Sequence, residues 1–159
     1  FGLTLLFGVV QRFRSVHTYV FIDGITEISK ELKKLKVNNI NKILTNWNDY
    51  VHVDGHSDYE KSFNDLLKEK IINNSSFNTL IVIGDARNNY RPINIDTVDK
   101  LSKKFQNIYW MNPERSKYWN TGDSQFHHYQ SISKKYSEVR NFEQLKTFIN
   151  SINFKKVIK

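Results

Sequence analysis

A chain of 159 residues with 39% hydrophobic and 14% aromatic side chains suits a single domain with a real buried core. Having no cysteine, it can form neither disulfides nor thiolate metal centres, and it fits a reducing, cytoplasmic setting. The formal charge of +8 raises nucleic-acid binding as a function, but the lysines are scattered over several predicted helix ends and a basic tail at 155–159. No basic stripe interleaved with aromatics accompanies them, so the charge reads as solvated surface and nucleic acid is not the expected partner.

The chain opens on Phe1-Gly-Leu-Thr-Leu-Leu-Phe-Gly-Val-Val10. This run is well short of the roughly 20 apolar residues a membrane helix needs, and it has neither the basic flank nor the cleavage site of a signal peptide. Its apolar spacing predicts a buried helix over 3–14. The only methionine is Met111 and the pattern starts mid-element, so an upstream segment is expected. A strand is predicted over 17–22, stopped by Asp23-Gly24, and the ambiguous segment 25–35 reads as a short edge strand turning into a helix.

Helical spacing of Ile40, Ile43, Leu44 and Trp47 predicts a helix over 40–47, and Phe63, Leu66 and Leu67 predict another over 58–70. After a loop at 73–76 comes a continuous apolar strand over 80–83. Asp96 is the expected cap of a helix carrying Val98, Leu101 and Phe105, and residues 108–111 form a strand closed by Asn112-Pro113. A short strand over 136–139 and a helix over 142–152, built on Phe142, Leu145, Phe148 and Ile149, complete the pattern. Strands alternating with helices predict an α/β fold of Rossmann-like type, one domain over 1–154 with a mostly parallel sheet covered on both faces.

Two segments carry the candidate chemistry. In Thr79-Leu-Ile-Val-Ile-Gly-Asp-Ala-Arg-Asn-Asn-Tyr90 a buried strand ends on Gly84-Asp85. In open α/β sheets ligands bind beyond the carboxyl ends of the strands, so Asp85 is placed to hold a metal or phosphate, or else to cap its own loop. In Val53-Asp-Gly-His-Ser-Asp-Tyr59, Ser57 or Asp58 can cap the helix that follows. The alternative is that the Ser57 hydroxyl and the Asp85 carboxylate act together as hard oxygen ligands of the kind Mg²⁺ or Mn²⁺ takes, with Asp58 as a further or alternative ligand.

Thr121-Gly-Asp-Ser124 is expected to be a surface turn, with Asp123 and Ser124 as candidate contacts to a partner beside His56 and Arg87. Adjacent His127 and His128 cannot easily share a metal on either a strand or a helix. Asp23-Gly24 lacks the second aspartate of the phosphotransferase pattern, since Ile25 follows. No Ser-His-Asp order, phosphate loop or paired glutamates are present, so no catalytic function is expected. The alternative is a Mg²⁺-dependent phosphoester or nucleic-acid hydrolase using Asp85.

Six motifs in order carry a resemblance across nearly the whole chain: Arg12-Phe13-Arg14 leading into Tyr19-Val-Phe-Ile-Asp23; Asp54-Gly-His-Ser-Asp-Tyr59; Gly84-Asp-Ala-Arg-Asn-Asn-Tyr90; Tyr109-Trp-Met-Asn-Pro-Glu114; Trp119-Asn-Thr-Gly-Asp-Ser124; and Val139-Arg-Asn-Phe-Glu-Gln-Leu145. The chain resembles the von Willebrand factor A (VWA) domain of CoxE-like proteins. That resemblance implies a metal-ion-dependent adhesion site built from three loops, in which Ser57 matches the second-loop hydroxyl and Asp85 the third-loop aspartate. The first-loop Asp-x-Ser-x-Ser is absent, and with it the strand corresponding to the family's central one.

Two expectations follow from that departure. Mg²⁺ or Mn²⁺ should bind weakly or not at all to this chain alone, and the gap left by the missing strand should be paired by another segment or by self-association with a second chain, or else leave the chain only marginally stable, because unpaired backbone groups there cannot stay dry. The resemblance also implies a protein-interaction role with a MoxR-type AAA+ ATPase and an acidic target, in maturation or remodelling of a protein such as a metalloenzyme.

Overall fold

A computed structural model describes residues 16–34, 56–73 and 79–152. The helices predicted over 3–14 and 40–47, the Asp54-Gly55 turn and the basic tail lie outside the described residues.

Period-two alternation organises the larger sheet. It contains β3 (Thr79–Ile83), β4 (Asn107–Asn112) and β5 (Lys135–Glu138) in that order. Both pairings are parallel, with Ile83 opposite Met111 and Asn112 opposite Glu138 at the carboxyl ends. Leu80, Val82, Ile108 and Trp110 enter one core, while Ile81, Ile83, Tyr109 and Met111 enter a second on the opposite face. Burial on both faces explains why β4 is an apolar run rather than an alternating one.

Helices supply the covering layers. α2 (Tyr59–Lys68), α4 (Ile95–Lys104) and α5 (Phe126–Ile132) bring Tyr59, Phe63, Leu66, Val98, Leu101 and Tyr129 to the first core, with α3 (Lys70–Asn73) adding Ile72. Trp110 stands at its centre, stacked on Tyr129 at 4.8 Å and on Tyr59 at 5.9 Å. α6 (Phe142–Ser151) covers the other face through Leu145 and Phe148. The fold is thus the α/β type expected, with a parallel sheet between helical layers.

β1 (Tyr19–Phe21) and β2 (Ile25–Glu27) form an antiparallel hairpin ahead of α1 (Ser29–Lys34). The segment that begins at Ile25 is thus a short strand turning into a helix, as expected. Phe21 meets Tyr59 edge-on at 4.9 Å, and Ile22 C=O accepts from Asp58 N–H at 2.7 Å, so the hairpin is docked on the start of α2. Among the described residues no strand joins the hairpin to the three-stranded sheet.

Several expectations are corrected. Asn94, not Asp96, caps α4: its Oδ1 accepts from Asp96 N–H at 2.9 Å, placing Asp96 in the first turn, where its charge suits the helix dipole. Phe142 starts α6 but is 64% exposed, because the core on that face is filled by Leu145 and Phe148, with Ile149 packed against it. α5 was not foreseen; it is seven residues long and carries His127 and His128, leaving Phe126 and Tyr129 as its only buried residues. The strand predicted over 17–22 shortens to Tyr19–Phe21 because Ile22 N–H turns back to Gly24 C=O. No helix among the described residues is long and apolar enough to cross a membrane.

Candidate functional site

The ladder between β3 and β4 runs one residue past β3, where Gly84 N–H donates to Met111 C=O at 3.1 Å. Trp110 Nε1 reaches up from the core and donates to Gly84 C=O at 2.7 Å. A Cβ on Gly84 would lie 2.2 Å from the Tyr59 hydroxyl oxygen, so the position requires glycine for space rather than for its backbone angle. That hydroxyl accepts from Ala86 N–H at 3.0 Å and donates to Asp85 Oδ1 at 3.2 Å. Burial, and then the Asp85 charge, push the Tyr59 phenol well above its ordinary value, which keeps it a donor.

Arg87 N–H is the second donor to Oδ1, at 3.0 Å. Oδ2 of Asp85 accepts no hydrogen bond among the described residues. The backbone beyond it enters the left-handed region at Ala86 (φ 60°), Asn89 (φ 50°) and Tyr90 (φ 59°). Each such residue costs on the order of 1–2 kcal/mol, and for a ring as large as tyrosine the conformation is an outlier. Tyr90 is nonetheless 82% exposed, so it is the loop's other bonds that hold it there.

Those bonds run first to the Ser57 segment. Asn88, fully buried, accepts from Tyr59 N–H at 2.8 Å and donates to Arg91 C=O at 2.9 Å. Asn89 Nδ2 donates to Ser57 C=O at 2.9 Å. Asp58 caps α2 by accepting from Lys61 N–H through Oδ1 at 2.9 Å, and its Oδ2 accepts from Arg91 Nη1 at 2.6 Å. Of the two capping candidates, Asp58 is the cap, and both of its oxygens are engaged. The two loops that carry Ser57 and Asp85, 28 positions apart in the sequence, are thereby stitched side by side at the carboxyl edge of the sheet.

A third loop closes the group. Arg87 Nη2 donates to Glu114 Oε1 at 2.6 Å and Arg87 Nη1 donates to Asp123 Oδ1 at 2.7 Å. Asp123 also accepts from Asn89 N–H at 3.0 Å, Arg87 pairs with Ser124 in an isolated antiparallel bridge, and Gln125 N–H donates to Ala86 C=O at 2.8 Å. Burial by itself would raise the Asp123 carboxyl, but the bonds from Arg87 and Asn89 outweigh it and the group is held below its ordinary value of 3.8. Its contribution to stability is thus present above about pH 4 and is lost as the pH falls through the lower, folded-state value. The thermal midpoint of Asp123→Asn is expected to fall less steeply than that of the wild type between about pH 4 and pH 2, as followed by circular dichroism.

Of the residues expected from the sequence, Ser57, Asp58, Asp85, Arg87, Asp123 and Ser124 lie in this one group. Arg87 and Asp123 are paired with each other, Ser124 is buried, and His56 is exposed at its edge. His127 and His128 sit on α5 with ring centroids 3.9 Å apart, the first exposed and the second half-buried. Sequence reasoning missed Tyr59, Asn88 and Glu114 as structural partners of the site. Asn88 and Tyr59 meet across 29 positions, and no local pattern reports such a pairing. All three stand in the ordered motifs, Tyr59 after Ser57-Asp58, Asn88 after Gly84-Asp85 and Glu114 in Asn-Pro-Glu after a buried strand, and that placement was the usable signal. Among the described residues no three His, Asp or Glu side chains gather in a metal-binding cluster.

Asp85 thus keeps one carboxylate oxygen without a hydrogen bond among the described residues, a hard oxygen of the kind divalent cations take, beside the loop that carries Ser57. No curated protein and no solved structure matches the chain. The family described as VWA domain containing CoxE-like protein matches residues 1–148. With a parallel sheet between helices and the matched loops gathered at its carboxyl edge, the chain belongs to the CoxE-like VWA-domain family.

Proposed function

We propose that this domain is a protein-interaction adaptor whose contact is assisted by a divalent cation. Ser57 and Asp85 are the residues of this chain that would hold Mg²⁺ or Mn²⁺, and the bound cation would supply an open coordination position for a carboxylate of an acidic target. Asp58, occupied by its cap and by Arg91, supports the loop rather than the ion. The observation that carries the reading is the stitching of the Ser57 and Asp85 loops at the carboxyl edge of the sheet, with Asp85 Oδ2 accepting no bond among the described residues. Family membership supports a protein-interaction role, and within that role we propose a MoxR-type AAA+ ATPase as the working partner.

Calorimetric titration of the full-length protein with Mn²⁺ tests the site. Binding is expected in the wild type and should weaken by at least about tenfold in Asp85→Ala, since Mg²⁺-like ions depend on carboxylate ligands. Metal-dependent capture of a purified MoxR-type ATPase without turnover supports the adaptor. Hydrolysis of a phosphoester that disappears in Asp85→Ala would replace it with the hydrolase reading, and titration unaffected by Asp85→Ala would remove the metal site.

A further inference from the structure

The Asp85 carboxylate is held from below, by the hydrophobic core. Tyr59 is fully enclosed in the aromatic cluster, between Phe21 at 4.9 Å, Phe63 at 6.1 Å and Trp110 at 5.9 Å. A ring clamped on three sides has little freedom to move its hydroxyl, and that hydroxyl is satisfied on both counts, as acceptor from Ala86 N–H and donor to Asp85 Oδ1. The absence of a side chain at Gly84 is what admits it, given the 2.2 Å approach a Cβ would make. Tyr59 is also the first residue of α2, two positions after Ser57, and its own N–H is fixed by Asn88 of the Asp85 loop.

We infer that Tyr59 is the positioning residue of the Asp85 carboxylate: by holding Oδ1 from within the core it leaves Oδ2 as the oxygen that takes a divalent cation, and it fixes that oxygen relative to Ser57. Without this bond Oδ1 keeps only the Arg87 N–H of its own loop, at 3.0 Å, and loses its anchor in the core, so the carboxylate meets the ion in a wider spread of geometries, which an ion demanding near-octahedral coordination tolerates poorly. The inference rests on the metal-binding reading above.

The test uses the full-length protein and compares wild type, Tyr59→Phe and Phe148→Leu. The last perturbs the core on the opposite face of the sheet and so controls for general loss of stability. Two readouts are taken: Mn²⁺ affinity by calorimetry, and hydrogen exchange of the Ala86 amide without metal. Tyr59→Phe is expected to weaken Mn²⁺ binding by roughly 10–100-fold, the usual effect of removing a bond to a metal ligand, and to speed Ala86 exchange, while Phe148→Leu leaves the affinity within about threefold. Should Tyr59→Phe fail to fold, Tyr59→4-fluorophenylalanine fills the same volume without a donor and is put through the same comparison. Affinity in the Tyr59 variant equal to wild type, or lost equally in Phe148→Leu, overturns the positioning role and leaves the proposed function standing. Absence of Mn²⁺ binding in the wild type overturns both.

Discussion

Gly84→Ala is expected to destabilise the domain by about 3 kcal/mol, lowering the thermal midpoint by roughly 10 °C, at the upper end of what a single added methyl does in a packed core. The new Cβ would meet the Tyr59 hydroxyl oxygen at 2.2 Å, its Cζ at 3.1 Å and its Cε1 at 3.3 Å. Relief would need the tyrosine to retreat into Phe63 and Trp110, or the loop to lift away from β4 and break the Trp110 Nε1 to Gly84 C=O bond. Either movement takes Asp85 with it, so Mn²⁺ affinity should fall together with stability. The same substitution in a Tyr59→Phe background removes the closest contact and should cost less than half as much, a coupling that a thermal double-mutant cycle measures. Additive effects would mean that Gly84 and Tyr59 do not touch in the way described.

Asn88→Ala should cost about 2–4 kcal/mol. The side chain is completely buried, and its amide bonds two backbone groups: Tyr59 N–H, through Oδ1 at 2.8 Å, and Arg91 C=O, through Nδ2 at 2.9 Å. Removing it strands the buried Tyr59 N–H, worth on the order of 1–3 kcal/mol, and forfeits the part-buried bond to Arg91 C=O. Asn88→Asp keeps the acceptor for Tyr59 N–H but sets a carboxylate oxygen against Arg91 C=O, so it should rescue little. The consequence reaches beyond stability. Asn88 is the buried tie between the α2 start and the Asp85 loop, and hydrogen exchange at Tyr59 N–H should rise before global unfolding does. Denaturant melts with an unchanged midpoint in Asn88→Ala would contradict this account.

The elements were legible in the sequence where one local rule decided them. The apolar run at Thr79–Ile83 and the helix on Phe63 and Leu66 follow from burial period, and Asp85 followed from the glycine-aspartate step at the end of a buried strand. The cap of α4 was misplaced by two residues because Asn94 and Asp96 are equally good caps in isolation, and the chain settles between them only by where Thr97 and Val98 must face the core. Phe142 was misread as a core residue because helical spacing gives a stripe but not its width; only the sheet shows that Leu145, Phe148 and Ile149 fill the contact. The turn at residues 121–124 was foreseen as a surface feature. That it forms a buckle closed by Arg87, with Glu114 on the other side, was not.

The sequence by itself determined the α/β pattern, the two loops that carry Ser57 and Asp85, and the six ordered motifs that mark the family, because hydrophobic period, turn residues and motif order are all properties of neighbours along the chain. Tertiary structure alone decided how those loops meet. Tyr59 and Asp85 are 26 positions apart and meet because α2 packs on the sheet with its first residue against the end of β3, while Arg87 and Asp123, 36 apart, meet because the parallel sheet brings the carboxyl ends of β3 and β4 to one edge. A side chain's polarity can be read from the sequence, but the identity of its partner depends on which distant backbone the fold delivers within about 3 Å of it.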